Sequence, residues 1–236
     1  MSFQDKFYRN IEANAFFKRH IQNLNNSELR NSKKEILKVL LNNKIKLKKK
    51  NVLEIGCFIG DLLKFLKKNY ECKVNGIEPS SYACIYAKKN YNLIIENNTF
   101  DKSTKSLLTK KNFEKFDLIV VEDVLSWVDR SLILKTINSI DWLLKPEGHI
   151  FLRDFAPKKS FAVKNHHWKN EKIFNFKQSY GHKTFFLMSG KYSSVYSKTY
   201  STSKFQKVKS NNKNSLIWND SIIKKVKNFT FPILKV

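Results

Sequence analysis

The sequence predicts an α/β fold, a sheet of parallel strands covered by helices, and three observations carry that expectation. Residues 51–55, Asn-Val-Leu-Glu-Ile, make an apolar run with the character of a buried parallel strand; Gly56 and Gly60 follow, and Asp61, Leu62, Leu63, Phe65 and Leu66 then take up helical spacing. Residues 73–77 repeat the pattern as a second short apolar strand, closing on Glu78, Pro79 and Ser80 before a helix-suited stretch over 82–90. The 236 residues contain no internal repeat, Gly/Ser linker or low-complexity tract, so a single domain spanning 1–236 is expected. A chain of this size buries on the order of 70–75% of its unfolded surface and needs no staple.

The elements follow in order. Residues 1–45 read as a helical leader, because Phe3, Phe7, Ile11, Phe17, Ile21 and Leu24 recur at near-helical spacing. Ser32 with Glu35 makes a capping box for a second helix through Leu41, and Asp61 is placed to cap the helix after the glycine turn. Residues 91–96 read as a third strand, followed by Asn97, Asn98, Thr99, Phe100 and Asp101 in a turn. The core ends near residue 155. Residues 158–180 read as an excursion, with a final antiparallel pair at 184–188 and 229–234.

Composition narrows the class. The net charge of +25 invites a nucleic-acid reading, but only five of the 45 basic residues are arginines (Arg9, Arg19, Arg30, Arg130, Arg153). A reader of bases or phosphates concentrates arginine for its planar fork, whereas these lysines are dispersed, with their densest cluster in a loop at 44–50. Nucleic acid is therefore disfavoured as a partner. Cys57, Cys72 and Cys84 are odd in number and lack zinc spacing, which fits reduced thiols in a cytoplasmic protein and gives no metal ligand. The first residues lack a signal-peptide apolar region, and no apolar run approaches the roughly 18 residues of a membrane span.

The glycine turn points to a ligand. Missing side chains at Gly56 and Gly60 permit left-handed backbone and close approach, and Glu78, about twenty residues on at a strand end, is placed to accept hydrogen bonds from paired ribose hydroxyls. A nicotinamide enzyme shares that acid but shows G-x-G-x-x-G, whereas Glu54 here stands two residues before Gly56. Residues 52–63 resemble motif I of the class I S-adenosylmethionine-dependent methyltransferases. Residues 116–125 resemble that family's fourth strand and its loop, and residues 143–152 the turn into its fifth strand. The resemblance covers 51–155 and implies a Rossmann-like sheet of seven mostly parallel strands, the last antiparallel, with helices on both faces. It implies S-adenosyl-L-methionine as cofactor, held by Glu54, Gly56, Cys57, Phe58, Gly60, Glu78, Pro79, Thr99, Phe100, Glu122 and Asp123. Thr99 and Phe100 occupy the family's adenine position, with Asp101 near the exocyclic amine. Leaders in this family commonly cover the cofactor, which turns Phe7, Tyr8 and Arg19 towards the ligand; plain packing of an amphipathic helix is the alternative.

Residues 124–130, 153–157, 166–167 and 176–180 resemble a bacterial methyltransferase group associated with surface-polysaccharide and small-molecule biosynthesis. That resemblance implies a small, anionic or sugar-like acceptor, such as a nucleotide-linked sugar. Methyl transfer is an in-line displacement needing no metal, and a general base adds typically about 10²–10⁴-fold for a hydroxyl or acidic carbon. His166, His167, Asp154 and Tyr180 are the candidate bases, and Trp127, Arg130 and Lys177 the candidate acceptor contacts. Two departures stand out: Phe58 replaces the middle glycine usual in motif I, and Trp127 replaces the histidine common after the fourth strand. They keep open a non-catalytic nucleoside-binding or scaffold protein. An RNA methyltransferase is the other alternative, against which stand the absence of Asn-Pro-Pro-Tyr, of a catalytic cysteine pair and of an appended RNA-binding domain.

Overall fold

The structure, a computed structural model, describes residues 2–22, 29–168, 171–201 and 217–227. A leader of two short helices, α1 (Phe3–Phe7) and α2 (Ala13–Ile21), joined by a π-helical turn at Tyr8–Glu12, precedes α3 (Asn31–Asn42). Strands and helices then alternate: β1 (Asn51–Ile55), α4 (Asp61–Tyr70), β2 (Lys73–Glu78), α5 (Ser81–Tyr91), β3 (Glu96–Asn97), α6 (Phe100–Leu107), β4 (Phe116–Glu122), α7 (Ile133–Leu143) and β5 (Leu144–Phe155). A two-stranded ribbon, β6 (Phe161–Lys164) with β7 (Phe174–Lys177), comes next, followed by α8 (Lys183–Leu187), β8 (Tyr192–Ser201) and β9 (Ile217–Lys225).

The main sheet has seven strands in the order β3-β2-β1-β4-β5-β9-β8. Its first five are parallel, and β9 runs antiparallel to both β5 and β8. Successive side chains of a strand point to opposite faces, and the central strands β1 and β4 carry apolar side chains on both because both faces are covered. On one face Val52, Leu118, Val120 and Phe151 pack with Ile36 and Leu40 of α3 and with Leu62, Leu63 and Leu66 of α4. On the other, Leu53, Ile55, Ile119, Val121 and Ile150 meet Ile133, Ile140 and Leu143 of α7. Burying each such side chain contributes roughly 1.5–3 kcal/mol. The chain leaves β1 to one side for β2, and β4 lies on β1's other side; the crevice of an open α/β sheet forms where the order reverses.

Several local expectations give way to longer-range contacts. Residues 184–187 fall in α8, with Met188 as its C-cap, rather than in a strand, since a five-residue apolar run suits either element; Gly181 at φ 83° turns the chain, Thr184 Oγ1 donates to its carbonyl at 2.9 Å, and Phe186 packs edge-on to Tyr192 at 5.2 Å. The final antiparallel pair is β8 with β9, and residues 229–234 lie outside the described residues. The third strand shrinks to Glu96–Asn97, because α5 runs on through Tyr91 and Asn92 ends it in left-handed backbone. The capping box does not form: α3 begins after Arg30 without a side-chain cap. Asp61 does not cap α4 either. Gly60 is the cap residue, and the Asp61 carboxylate instead accepts from Arg30 N (3.0 Å), Nε (3.0 Å) and Nη2 (2.8 Å), tying leader to turn. None of the described helices is long and apolar enough to cross a membrane.

Candidate functional site

Two adjoining cavities open at the carboxyl ends of β1, β2 and β4. The larger, about 520 Å³, is walled by Gly56, Phe58, Glu78, Glu122 and Asp123 from the strand ends, by Glu12 and Phe16 from the leader, and by Tyr200 and Trp218 from β8 and β9. The smaller, about 90 Å³, lies between Ile55, Ile77, Phe100, Val128 and Leu132, and Tyr8, Gly56, Pro79, Val124 and Trp127 line both.

The turn after β1 is built to aim one carboxylate. Gly56 holds φ 72°, and a Cβ there would stand 2.4 Å from Val124 Cγ2, so the position serves the turn itself as well as the opening beside it. Phe58 sits at φ 53°, left-handed backbone that a bulky residue adopts only when its surroundings enforce it. Its N–H donates to Glu78 Oε2 at 2.9 Å, and Ser80 N–H donates to Oε1 at 2.9 Å. Burial pushes the Glu78 carboxyl up to about 7 despite those two bonds. Each oxygen keeps a lone pair for a further donor. The Phe58 ring, meanwhile, lies under the Arg30 guanidinium at 4.9 Å and against Phe16 and Phe17, both at 5.7 Å, so the residue that replaces a glycine fastens the leader to the turn. Gly60, at φ 73°, faces Leu93 and Ile95 rather than either cavity. Cys57 is buried, with burial pushing its thiol well up, and its Sγ packs where a Cβ on Gly76 would fall.

Behind the larger cavity lies a closed network of charge. Alternation puts Glu54 on the α3 side of β1, where Lys33 Nζ reaches Glu54 Oε1 at 2.6 Å and Glu122 Oε2 at 2.7 Å. Arg153 donates to Glu122 Oε1 at 3.1 Å and to Asp220 Oδ2 at 2.6 Å, and the Tyr200 hydroxyl donates to Asp220 Oδ1 at 2.9 Å. Burial favours the neutral carboxyl at Glu122, yet Lys33 and Arg153 outweigh it and hold the group at about 2. At Glu54 burial wins, and its carboxyl rises to about 7.

A second, looser cluster follows β4. Asp123 holds φ 50° and faces the larger cavity; its N–H donates to Arg153 O at 2.8 Å, and Ser126 Oγ approaches its Oδ1 at 3.4 Å. Burial, reinforced by the charge of Asp154, pushes the Asp123 carboxyl to about 8. Asp154 lies deeper, outside both cavity walls, accepting from Ser126 N at 2.9 Å and Phe155 N at 2.7 Å with His182 Nδ1 at 3.2 Å. Burial opposes the Asp154 anion, but His182 outweighs it and holds the carboxyl below its usual range. Lys177 is buried with its ammonium over the Phe155 ring, and burial lowers it to about 8 against the pull of Asp123 and Asp154. Phe155 in turn stacks on Trp218 at 4.0 Å.

The candidate residues thus separate. Gly56, Phe58, Glu78, Pro79, Glu122, Asp123 and Trp127 line the larger cavity; Thr99 and Phe100 line the smaller. Arg130 lies apart, donating to Phe176 O at 2.8 Å with its guanidinium over the Phe176 ring. His166 and His167 are exposed on the turn after β6, their rings 3.9 Å apart; Asn165 and Trp168 tie that turn to the leader, where Trp168 Nε1 donates to Glu12. Tyr180 is 64% exposed in left-handed backbone. Of the leader residues expected at the ligand, Tyr8 lines both cavities, whereas Phe7 packs on Trp168 and Arg19 pairs with Glu12 at 2.6 Å. Sequence reasoning missed Asp5, Glu12, Lys33, Arg153, Tyr200, Trp218 and His182. Only Arg153 carried a signal, as one of five arginines in a chain that otherwise uses lysine.

Comparison with known proteins agrees with this architecture. A family model described as a methyltransferase domain matches residues 20–186. The Burkholderia thailandensis 1,6-didemethyltoxoflavin-N1-methyltransferase, solved with 1,6-didemethyltoxoflavin and S-adenosylhomocysteine, superposes with a TM-score of 0.61 at 14% identity, covering 94% of this chain and 90% of that one. The N-methyltransferase NodS of Bradyrhizobium japonicum, solved with S-adenosyl-L-homocysteine, gives 0.57 at 16% identity, covering 90% and 98%. An uncharacterised protein of Rickettsia prowazekii is 29% identical over 102 residues, a match spanning 43% of this chain and 41% of that protein.

Proposed function

The chain belongs to the methyltransferase-domain family, and we propose that it transfers the methyl group of S-adenosylmethionine to a small, planar or aromatic-faced acceptor in the larger cavity. One observation carries the reading: the Glu78 carboxylate, fixed by the Phe58 and Ser80 N–H groups, faces a cavity that begins at the Gly56 turn. That is the acceptor the paired hydroxyls of a ribose require. When bound, the cofactor supplies an electrophilic methyl on a sulfonium, and alignment alone lowers such a barrier by up to ~7–11 kcal/mol.

The cavity wall favours one class of acceptor. Arg30, Lys33 and Arg153 are already matched by Asp61, Glu54, Glu122 and Asp220, so the cavity offers an anion no uncommitted cation among them. Tyr8, Phe16, Trp127, Tyr200 and Trp218 offer ring faces instead. This weighs against the anionic or sugar-like acceptor and towards a planar one. Asp123 stands in the same wall and is placed to take the proton that the acceptor sheds.

Methyl-labelled S-adenosylmethionine supplied with a small-molecule extract or with total RNA tests the reading. Label is expected in the small-molecule fraction, in compounds retained by aromatic rather than anion-exchange media. Label confined to RNA, or no binding of S-adenosylhomocysteine in calorimetry, would overturn it.

A further inference from the structure

Of the chain's five histidines only His182 is buried, and it has no part in either cavity wall. It stands just before α8, where Tyr180 N–H donating to Pro157 O at 2.9 Å and Gly181 N–H donating to Gln178 O at 3.0 Å turn the chain back beside the end of β5. Its two ring nitrogens meet different partners. Arg130 Nη2 lies 3.4 Å from Nε2, and because a guanidinium only donates, Nε2 accepts and the ring proton sits on Nδ1. Nδ1 in turn stands 3.2 Å from Asp154 Oδ2.

Asp154 leads on to Asp123 through one serine. Ser126 N–H donates to Asp154 Oδ2 at 2.9 Å, and Ser126 Oγ, which accepts from Asn175 Nδ2 at 3.1 Å, stands 3.4 Å from Asp123 Oδ1. Two carboxyl groups linked in this way, away from bulk water, oppose each other's ionisation, and the negative charge settles on the one better supplied with donors. That one is Asp154. It takes Ser126 N–H, Phe155 N–H at 2.7 Å and the His182 ring, whereas Asp123 has the longer serine contact. The other groups around Asp123 do not reverse this: Glu122 is engaged by Lys33 and Arg153, Lys177 of β7 rests on the Phe155 ring, and Tyr8 of the leader is kept a neutral phenol by burial.

Resting on the reading of Asp123 as the group that takes the acceptor's proton, we infer that His182 is a positioning residue for methyl transfer: by fixing negative charge on Asp154 it makes Asp123 a stronger proton acceptor than a carboxylate standing alone. A general base works best when its proton affinity lies near the working pH, and an ordinary aspartate, at about 3.9, falls well short of that. Burial and then the charge of Asp154 raise Asp123 into the useful range, with Lys177 opposing them. His182 reaches the acceptor side only through Asp154 and Ser126 and touches no reacting atom. Its replacement should therefore change the proton on Asp123 and leave the cofactor alone.

The test follows Asp123 itself, by carbon NMR on the full chain carrying carboxyl-labelled aspartate, its signal identified as the one missing from Asp123→Asn. His182→Leu is expected to lower the Asp123 titration midpoint by at least about one pH unit, because Asp154 then competes for the proton. His182→Asn, whose amide N–H₂ can donate from the place of Nδ1, is expected to stay within about half a unit of wild type. Asp154→Asn removes the charge with the histidine in place and should lower the midpoint as the leucine variant does, which decides the matter even where His182→Leu does not fold. An unmoved midpoint in folded His182→Leu or Asp154→Asn, or an asparagine variant that shifts as far as leucine, would overturn the inference and leave the methyltransferase reading standing. Calorimetry with S-adenosylhomocysteine should give wild type and His182→Leu the same affinity. A wild type that does not bind it, with the midpoints moving as expected, would remove the reading on which the inference rests and with it the part of His182 in methyl transfer.

Discussion

Lys33 and Lys177 are both buried lysines near two carboxylates, yet only the first is paired. Lys33 touches Glu54 and Glu122 at 2.6 and 2.7 Å, and Arg153 and Asp220 extend the chain of contacts, so charge on that side is matched at close range. Lys177 has no carboxylate within ion-pair distance among the described residues and rests on the Phe155 ring, with Asp123 and Asp154 acting on it through space. The first network joins α3 to the ends of β1 and β4 and behaves as scaffold. The second, facing the side where an acceptor would lie, is held apart from close pairing: burial raises the Asp123 carboxyl and lowers the Lys177 ammonium from their ordinary values. A carboxyl raised by burial and free of a close cation is placed to hold or receive a proton, whereas Glu122, paired with Lys33 and Arg153, is held as the anion.

The largest effect should come from breaking the tight side. Lys33→Met leaves Glu54 and Glu122 buried with a positive partner removed, and loss of one partner from a buried pair costs about 3–5 kcal/mol. Urea unfolding at neutral pH should show that loss. The acid limb supplies an independent check. The folded Glu122 carboxyl is held down at about 2 against an ordinary 4.5, so its contribution is present above 4.5 and disappears as pH falls towards 2. A wild-type protein whose stability is flat through that window would show that Glu122 is not charge-paired in solution.

Next in size is Glu78→Ala. Losing charge-assisted bonds to a ribose should weaken S-adenosylhomocysteine at least tenfold, about 1.4 kcal/mol or more, in calorimetry. Unchanged affinity in a folded variant would reassign Glu78 to the turn alone, where the Phe58 and Ser80 N–H groups already occupy it.

The loose side should respond to pH. Because the folded Asp123 carboxyl is raised from 3.8 to about 8, its contribution to stability is full below 3.8 and is lost as pH rises through about 8. Asp123→Asn removes that loss. Thermal melts between about pH 5 and about pH 8 should therefore fall less steeply for the variant than for wild type; parallel curves would mean that Asp123 titrates normally and is no reservoir for a proton.

The same contrast explains what could be read in advance. The cofactor half is written in backbone: a left-handed turn needs Gly56, and strand ends place Glu78 and Asp123, all within local windows of sequence. Membership of α3 in the site was not legible, because Lys33 is one lysine among many and only the tertiary fold shows it meeting Glu54. Arginine was the better marker: Arg19, Arg30, Arg130 and Arg153 all hold a carboxylate or a carbonyl, which rewards the planar fork even in a chain that favours lysine. Adjacent histidines, by contrast, suggested chemistry that their placement does not supply. Nothing local to residues 166 and 167 reveals that Trp168 ties their turn to Glu12 and Phe7 of the leader and leaves both imidazoles exposed.

That placement yields the smallest expected effect. His166 and His167 are exposed, lie outside both cavities, and make their closest ring contact with each other. Slight desolvation and the nearby Arg19 lower the His167 imidazole below its usual value. Exposed substitutions away from special features usually change stability within about 0.5 kcal/mol. The double His166→Ala, His167→Ala variant should therefore match wild type in S-adenosylhomocysteine affinity, in urea midpoint and, once an acceptor is in hand, in turnover. A variant that keeps cofactor affinity but loses turnover would return the pair to the acceptor side.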